Sequence, residues 1–236
     1  MKLHFDSNQE YQWDAIKSIT DIFEGQPLNS GDFEFTTSNA GALLSENGFG
    51  NNLTLSAEQV LENVKAIQKR NEITNSVEEL QGMNFSVEME TGTGKTYVYL
   101  RTVYELNKLY GFKKFVIVVP SVAIREGVLK NLQITHEHFQ SLYDKTSINF
   151  DIYDSKKVSN LRGFSSGNAI QVLVINIDSF AKDENIINKP NDKLTGKKPI
   201  EFIQSTKPIV IVDEPQNMET GIRKKAIQNL EPLCTL

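Results

Sequence analysis

The stretch METGTGKT, Met89 to Thr96, decides the fold of this 236-residue chain. A strand-like run, Phe85–Glu88, precedes it, and a helical pattern from Thr96 to Leu109 follows it. A glycine-rich turn between a strand and a helix is the context of a phosphate-binding loop. The stretch therefore predicts a site for a nucleoside triphosphate.

Each residue type in this loop has a physical task. Gly92 and Gly94 let successive backbone N–H groups converge on phosphate oxygens. Lys95 supplies a point charge for the β- and γ-phosphates, and Thr96 offers a hydroxyl to Mg²⁺. The predicted nucleotide contacts in the loop are Thr91, Gly92, Thr93, Gly94, Lys95 and Thr96.

A second motif, Asp213-Glu214-Pro215-Gln216, follows the apolar run Ile209–Val212. Asp213 would lie at the carboxyl edge of a buried parallel strand, where a carboxylate can hold Mg²⁺ through water. Glu214 can then orient or deprotonate the attacking water. The two motifs in this order predict a site that binds and hydrolyses a nucleotide.

Valine- and isoleucine-rich runs alternate with helical patterns through most of the chain. Such alternation predicts an α/β fold with a mostly parallel sheet and helices on both faces. Strands are predicted at Phe85–Glu88, Phe115–Val119, Ile148–Tyr153, Val172–Ile177 and Ile209–Val212. Helices are predicted at Asn8–Phe23, from Ser56 to Arg70, and at Thr96–Leu109, Val122–Leu142 and Ile222–Leu230.

The chain divides into two parts by pattern. Residues 1–82 contain an amphipathic helix, an irregular stretch or loose hairpin from Glu24 to Asn52, and a helix whose first turn carries a Ser56–Gln59 capping box. Residues 83–236 form the nucleotide-binding domain. Within it, Asp183–Pro199 is rich in Lys, Asn and Pro and is predicted to be an exposed connection.

Composition excludes several classes of protein. The net charge of −5 offers no global basic field, so any nucleic-acid contact must be local. A single cysteine, Cys234, excludes an intramolecular disulfide framework. The sequence has neither a signal-peptide pattern nor about 18 consecutive apolar residues. We therefore expect a soluble, cytoplasmic protein with no membrane association.

The two motifs and the segments VVPSVAIREGVLK (Val118–Lys130) and VLVINIDSF (Val172–Phe180) resemble the first motor domain of the Res subunit of type III restriction-modification enzymes, in helicase superfamily 2. The resemblance covers essentially the whole chain and implies a RecA-like domain that uses ATP and Mg²⁺. Met89 replaces the first glycine of the general phosphate-loop pattern. That departure favours a helicase-like motor over a kinase or a GTPase.

The resemblance also implies roles for single residues. Lys95, Glu214 and Gln216 would be catalytic, with Gln216 sensing the γ-phosphate and coupling to the second domain. Thr96 and Asp213 would hold the metal. Gln12 resembles the upstream glutamine that pairs with adenine, because an amide can bond N6 and N7 together. The residues alone leave open that Gln12 is only a solvated helical position.

Two further segments resemble parts of such motors that hold the backbone of double-stranded DNA. Pro120, Ser121 and Arg125 begin a helix, whose free N–H groups suit phosphates. Asn176 and Ser179 follow a later strand. Ser121 alone can equally be a plain helix cap.

In this family a modification methyltransferase is the partner that recognises the DNA sequence. A second motor domain with arginine fingers and a nuclease domain would follow this segment. Neither domain is within the 236 residues, so we expect a fragment with weak ATPase activity and assign no cleavage residue. Two alternatives stay open. One is a P-loop enzyme acting on a small molecule, and the other is a non-catalytic module that binds nucleotide or DNA.

Overall fold

A computed structural model describes residues 5–28, 50–218 and 221–236 of the chain. Its helices are α1 (Glu10–Thr20), α2 (Ala57–Arg70), α3 (Lys95–Tyr110), α4 (Val122–Leu142), α5 (Asn160–Ser166), α6 (Pro199–Gln204) and α7 (Gly221–Gln228). Its strands are β1 (Lys114–Val119), β2 (Ile148–Ile152), β3 (Ile170–Asn176), β4 (Ile209–Val212) and β5 (Cys234–Thr235). No helix in the described ranges is long and apolar enough to cross a membrane.

The strands form one parallel sheet with the order β2-β3-β1-β4-β5. The central strand β1 aligns Val118 with Ile175 of β3 on one side and with Val212 of β4 on the other. The carboxyl ends of these three strands therefore meet at one edge of the sheet. Loops that follow parallel strands at such an edge are the usual place for a ligand site.

Both faces of the sheet are buried, as a parallel sheet requires. Along β1, Phe115, Ile117 and Val119 join one core, which contains side chains of α3 and α4. Val116 and Val118 join a second core with side chains of α5, α6 and α7. The predicted α/β fold with helices on both faces is confirmed.

The capping box predicted at the start of α2 is present. The Ser56 side chain accepts a hydrogen bond from the Gln59 backbone N–H at 3.3 Å, and the Gln59 side chain accepts one from the Ser56 N–H at 2.9 Å. A cap of this kind contributes about 1 kcal/mol to helix stability. Val60 and Val64 of α2 reach the first core, where they join Phe23.

Helix α1 is fixed beside the first half of α3 by the buried side chain of Arg101. Its guanidinium lies over the Trp13 ring, 4.0 Å from the centroid. It also donates hydrogen bonds to the Ser7 carbonyl at 2.6 Å and to the Tyr143 hydroxyl at 3.1 Å. One charged group thus connects α1, α3 and the end of α4.

The strand predicted at Phe85–Glu88 is wrong as a regular strand. The structure shows a single parallel bridge, between Asn84 and Thr235, flanked by hydrogen bonds from Phe85 N to Thr235 O and from Thr235 N to Met83 O, both 2.8 Å. The partner strand β5 is only two residues long, so it can pair with this segment only at this bridge. The segment nevertheless runs parallel to β5 as it leads into the phosphate loop.

The segment Asp183–Pro199 is irregular but not simply exposed, because the side chains of Ile187 and Leu194 are fully buried in the second core. Two short 3₁₀-helices, Ile186–Asn188 and Asp192–Leu194, direct them inward. Most of the irregular stretch or hairpin predicted for Glu24 to Asn52 lies outside the described residues.

Candidate functional site

The loop between the Asn84 bridge and α3 has the backbone conformation that its glycines predict. Gly92 and Gly94 have φ values of 83° and 89°, in the left-handed region that residues with a Cβ rarely occupy. Gly94 is the N-cap of α3, so the free N–H groups of this helix begin at the loop. The Thr93 hydroxyl closes the turn by donating to the Glu90 carbonyl at 2.6 Å.

Helix α1 contacts this loop directly. The side-chain amide of Gln12 donates a hydrogen bond to the Thr93 carbonyl at 3.0 Å, and the Tyr11 hydroxyl donates to the same oxygen at 3.2 Å. Gln12 is only 7% exposed, so it is not the solvated position that the sequence alone left open. A Cβ added at Gly94 would lie 2.8 Å from the Gln12 amide nitrogen. The contact therefore needs glycine at position 94.

The second motif faces the loop. The Lys95 ammonium lies 3.7 Å from a carboxylate oxygen of Glu214, and both side chains are partly exposed. The Gln216 amide hydrogen-bonds the other carboxylate oxygen of Glu214. Glu214 has a φ of 59°, a strained conformation for a residue with a Cβ, and such strain is concentrated at functional sites. The three residues predicted to be catalytic are thus neighbours.

Asp213 continues the β4 strand by one residue, and its N–H donates to the Val118 carbonyl of β1 at 3.0 Å. Its carboxylate accepts a hydrogen bond from the Tyr99 hydroxyl at 3.3 Å. The Thr96 side chain lies beside the same hydroxyl. Burial raises the pKa of Asp213 above its usual range, and burial also raises the pKa of Tyr99, which keeps Tyr99 a donor.

This pair of oxygen groups fits a magnesium ion. A threonine hydroxyl and a carboxylate are ligands that Mg²⁺ accepts, and Mg²⁺ commonly takes one or two protein ligands together with substrate phosphates. Thr96 and Asp213 both lie beside the Tyr99 hydroxyl, so they are close enough to share a site. A cation would also offset the cost of ionising the partly buried Asp213 carboxyl.

The first group of predicted DNA contacts lies where β1 leads into α4. Pro120 follows the strand, and Ser121 is the N-cap of α4, its hydroxyl accepting from the Ile124 N–H at 3.3 Å. The Arg125 guanidinium is paired with the Glu126 carboxylate at 2.9 Å. Ser121 thus acts as a cap whatever else it binds, and the charge of Arg125 is partly neutralised by its neighbour.

The second group lies at the neighbouring strand end, since Asn176 aligns with Val119 in the β1–β3 register. The Asn176 side chain accepts a hydrogen bond from the Asp178 N–H at 2.8 Å and shapes the turn that contains Ser179. Asp178 forms an ion pair with Arg223 of α7 at 3.1 Å. The two groups therefore share one edge of the sheet with the Asp213 motif.

Sequence reasoning missed two residues of the site, Tyr11 and Tyr99. The signal for Tyr99 was available, because a residue three positions after Thr96 lies on the same face of a helix. That spacing predicts that Tyr99 and Thr96 share one face of α3. It does not predict that the Tyr99 hydroxyl reaches Asp213, which follows β4. Tyr11 carried a weaker signal, its position beside Gln12.

Comparison with known proteins agrees with the resemblance seen in the sequence. Residues 7–236 match the family model for "Type III restriction enzyme, res subunit". The chain is 31% identical to the type III restriction-modification enzyme EcoP15I Res subunit of Escherichia coli over 200 residues, which are 76% of this chain and 20% of that protein.

Two more relatives have the same description. Identity to the StyLTI Res subunit of Salmonella typhimurium strain LT2 is 34% over 169 residues, 63% of this chain and 17% of the relative. Identity to the EcoPI Res subunit of Escherichia phage P1 is 30% over 200 residues, 76% of this chain and 20% of the relative. The chain spans about a fifth of the length of these curated relatives. It therefore belongs to the family of type III restriction enzyme Res subunits, in which it corresponds to a helicase-like, ATP-binding domain with a RecA-like fold.

Proposed function

We propose that this domain binds and hydrolyses ATP with Mg²⁺ and couples hydrolysis to movement on double-stranded DNA, as the first motor domain of a type III Res subunit. One observation carries the proposal. The cation of the phosphate loop, Lys95, and the acid of the second motif, Glu214, face each other at 3.7 Å, although they are far apart in the sequence. A hydrolytic nucleotide site needs both groups at one place.

The phosphate loop would bind the triphosphate through its backbone and Lys95. The N–H groups at the start of α3 point toward the loop, and the helix dipole favours an anion there. The Gln12 amide lies at the loop, where it donates to the Thr93 carbonyl. Its remaining N–H and its carbonyl oxygen would read the adenine edge. The base and the phosphates would thus be bound by two elements that contact each other.

Mg²⁺ would be held by Thr96 and Asp213 and would supply positive charge to the β- and γ-phosphates. Glu214 is the proposed general base for the attacking water, because its carboxylate lies next to Lys95 and is partly exposed. Gln216 would orient Glu214 through their hydrogen bond and respond to the γ-phosphate.

The proposed DNA contacts are directed at the phosphate backbone, through Pro120, Ser121, Arg125, Asn176 and Ser179. Support comes from their position at the ends of β1 and β3: β1 pairs directly with β4, the strand that leads to Asp213, and β3 pairs with β1 on its other side. A change in the nucleotide site would then be transmitted through adjacent strands. We further propose that a modification methyltransferase subunit supplies sequence recognition and that the protein acts in the cytoplasm.

The test of the nucleotide site is Lys95→Ala. A fluorescent ATP analogue is titrated into the 236-residue chain, and Lys108→Ala serves as the matched control, an exposed lysine in the last turn of the same helix. We expect the Lys95 variant to lose affinity by about 100-fold, because charge-assisted bonds to phosphate are the strongest in such a site. The control should match the wild type.

Equal affinity of the two variants would show that the loop is not the site. Nucleotide binding without any stimulation of phosphate release by duplex DNA, measured in a Res subunit that contains this domain, would favour the non-catalytic alternative. Phosphate transfer to a small-molecule acceptor instead of water would favour the P-loop enzyme alternative.

A further inference from the structure

The buried hydroxyl of Tyr99 joins the two motifs of the nucleotide site. Tyr99 is on the first turns of α3 and is 9% exposed. Its hydroxyl donates to the Asp213 carboxylate at 3.3 Å and lies beside the Thr96 side chain. One phenol oxygen therefore contacts a side chain of the phosphate loop and a side chain at the end of β4.

The position of this hydroxyl is determined by packing. The Tyr99 ring belongs to the core formed by α3, α4 and one face of β1. A ring packed in a core has few accessible rotamers, so its oxygen is held in a narrow range of positions. Phenylalanine would fill the same space without the cost of burying a polar group. Core packing therefore explains the ring of Tyr99 but not its hydroxyl.

The Asp213 carboxylate accepts a hydrogen bond from the Tyr99 hydroxyl, and the backbone N–H of Glu214 lies beside it. The Tyr99 bond restricts the orientation of the carboxylate and so influences which of its lone pairs stay free. Groups that hydrogen-bond a metal-binding side chain tune the affinity for the metal, and their loss typically weakens it by about 10–100-fold.

We propose that Tyr99 is a positioning residue that orients Asp213 and Thr96 for a magnesium-bound nucleoside triphosphate. Tyr99 acts on the metal through these two side chains and does not itself contact the reacting atoms. This inference rests on the proposed function, because it concerns the metal side of the same nucleotide site. It predicts a specific defect, in the use of Mg²⁺ rather than in folding or in nucleotide binding as such.

The experiment compares Tyr99→Phe with the wild type in equilibrium binding of a fluorescent ATP analogue. Affinity is measured in EDTA and over a series of Mg²⁺ concentrations, and thermal unfolding is followed by circular dichroism. We expect the affinity in EDTA to stay within about twofold, and the Mg²⁺ concentration for half-maximal enhancement to rise about tenfold. Tyr104→Phe is the matched control, a buried tyrosine on the same helix that packs against Phe139 and Tyr143.

A double-mutant cycle tests whether Tyr99 acts through Asp213. If it does, Tyr99→Phe changes the Mg²⁺ midpoint of the wild type but has little further effect in the Asp213→Asn variant. Additive effects of the two substitutions would contradict the inference.

Other results separate this inference from the proposed function. An unchanged Mg²⁺ midpoint with a lower melting temperature would make Tyr99 purely structural and overturn its positioning role, while ATP binding stays intact. An equal loss of affinity in EDTA and in Mg²⁺ would also overturn it. A wild-type chain that binds no nucleotide would refute the proposed function itself, and the Tyr99 inference with it.

Discussion

The side-chain amide of Gln12 donates a hydrogen bond to the backbone carbonyl of Thr93 at 3.0 Å, across a sequence separation of 81 residues. The bond joins α1 to the phosphate loop at a place where the Gln12 side chain is almost completely buried. Because the amide has a second N–H and a carbonyl oxygen, it can hold the loop and still present a donor and an acceptor to a base. The same contact also fixes the loop before any ligand binds.

We predict that Gln12→Ala weakens binding of an ATP analogue about 10-fold more than it weakens binding of a GTP analogue, because the loop contact serves both nucleotides and the base contact only adenine. The expected size is that of losing one bidentate contact to adenine. Both analogues are titrated against the variant, the wild type and Gln133→Ala, an exposed glutamine on α4 that serves as control. Equal weakening for both nucleotides would mean that Gln12 only supports the loop and does not read the base.

The sequence predicts those parts of the site that depend on residues close together in the chain. The glycines of the loop, the helix after it and the acid after an apolar run each depend on neighbouring residues, and Gly94, Lys95 and Asp213 lie where those patterns predict. The parallel sheet also follows from local signals, because runs of Val and Ile alternate with helical spacing. The strand at Phe85–Glu88 failed because regular pairing depends on a partner strand, and β5 offers only two residues.

Long-range contacts could not be predicted. Nothing in the local sequence places Tyr99 next to Asp213, because the contact depends on the angle between α3 and β4. The burial of Ile187 and Leu194 was hidden by a polar, lysine-rich composition around them. In both cases the side chain is positioned by tertiary packing, which overrides the average character of its segment.

Glu214→Gln should retain nucleotide binding and lose hydrolysis. The amide keeps the shape of the side chain and removes the base, and a positioned general base contributes about 10²–10⁴ in rate. Removing a negative charge beside Lys95 should leave affinity for the ATP analogue equal or higher. Phosphate release is measured with saturating ATP in a Res subunit that contains this domain. The control is Glu231→Gln, because Glu231 is an exposed acid paired with Lys207. Near-normal turnover of Glu214→Gln would assign water activation to another group.

Stability should depend on pH through Lys114, whose side chain is 1% exposed. Its ammonium donates to the carbonyls of Phe164, Ser165 and Gly167 at 2.6, 2.9 and 2.7 Å, at the end of α5. Burial, with a smaller contribution from the charge of Lys113, lowers the pKa of Lys114 to about 7. In the unfolded chain the pKa of a lysine is about 10.4.

The sign of this effect follows from proton linkage. Below pH 7 the lysine is charged in both states, so it adds no pH dependence. Between about pH 7 and 10 only the unfolded state holds the proton, and rising pH therefore stabilises the folded state by up to about 1.4 kcal/mol per pH unit. In urea unfolding, the free energy of unfolding of the wild type minus that of Lys114→Met should become more positive as the pH rises through this range. A difference that is constant or that shrinks would contradict the lowered pKa.

DNA binding should be weak, independent of base sequence and sensitive to salt. The chain has a net charge of −5, and the proposed contact strip contains one formal cation, Arg125, which is itself paired with Glu126. Each phosphate that the protein neutralises contributes about −0.9 to the slope of log K against log salt.

We expect Arg125→Ala to reduce the magnitude of the slope by about 0.9 or less and to weaken binding to every sequence alike. Lys207→Gln is the control, because Lys207 precedes β4 and lies at the opposite edge of the sheet. Fluorescence anisotropy with two unrelated labelled duplexes, from low to moderate salt, gives both quantities. A preference for one duplex would contradict a contact made only with the phosphate backbone, and an equal loss of slope in both variants would contradict a specific contribution of Arg125.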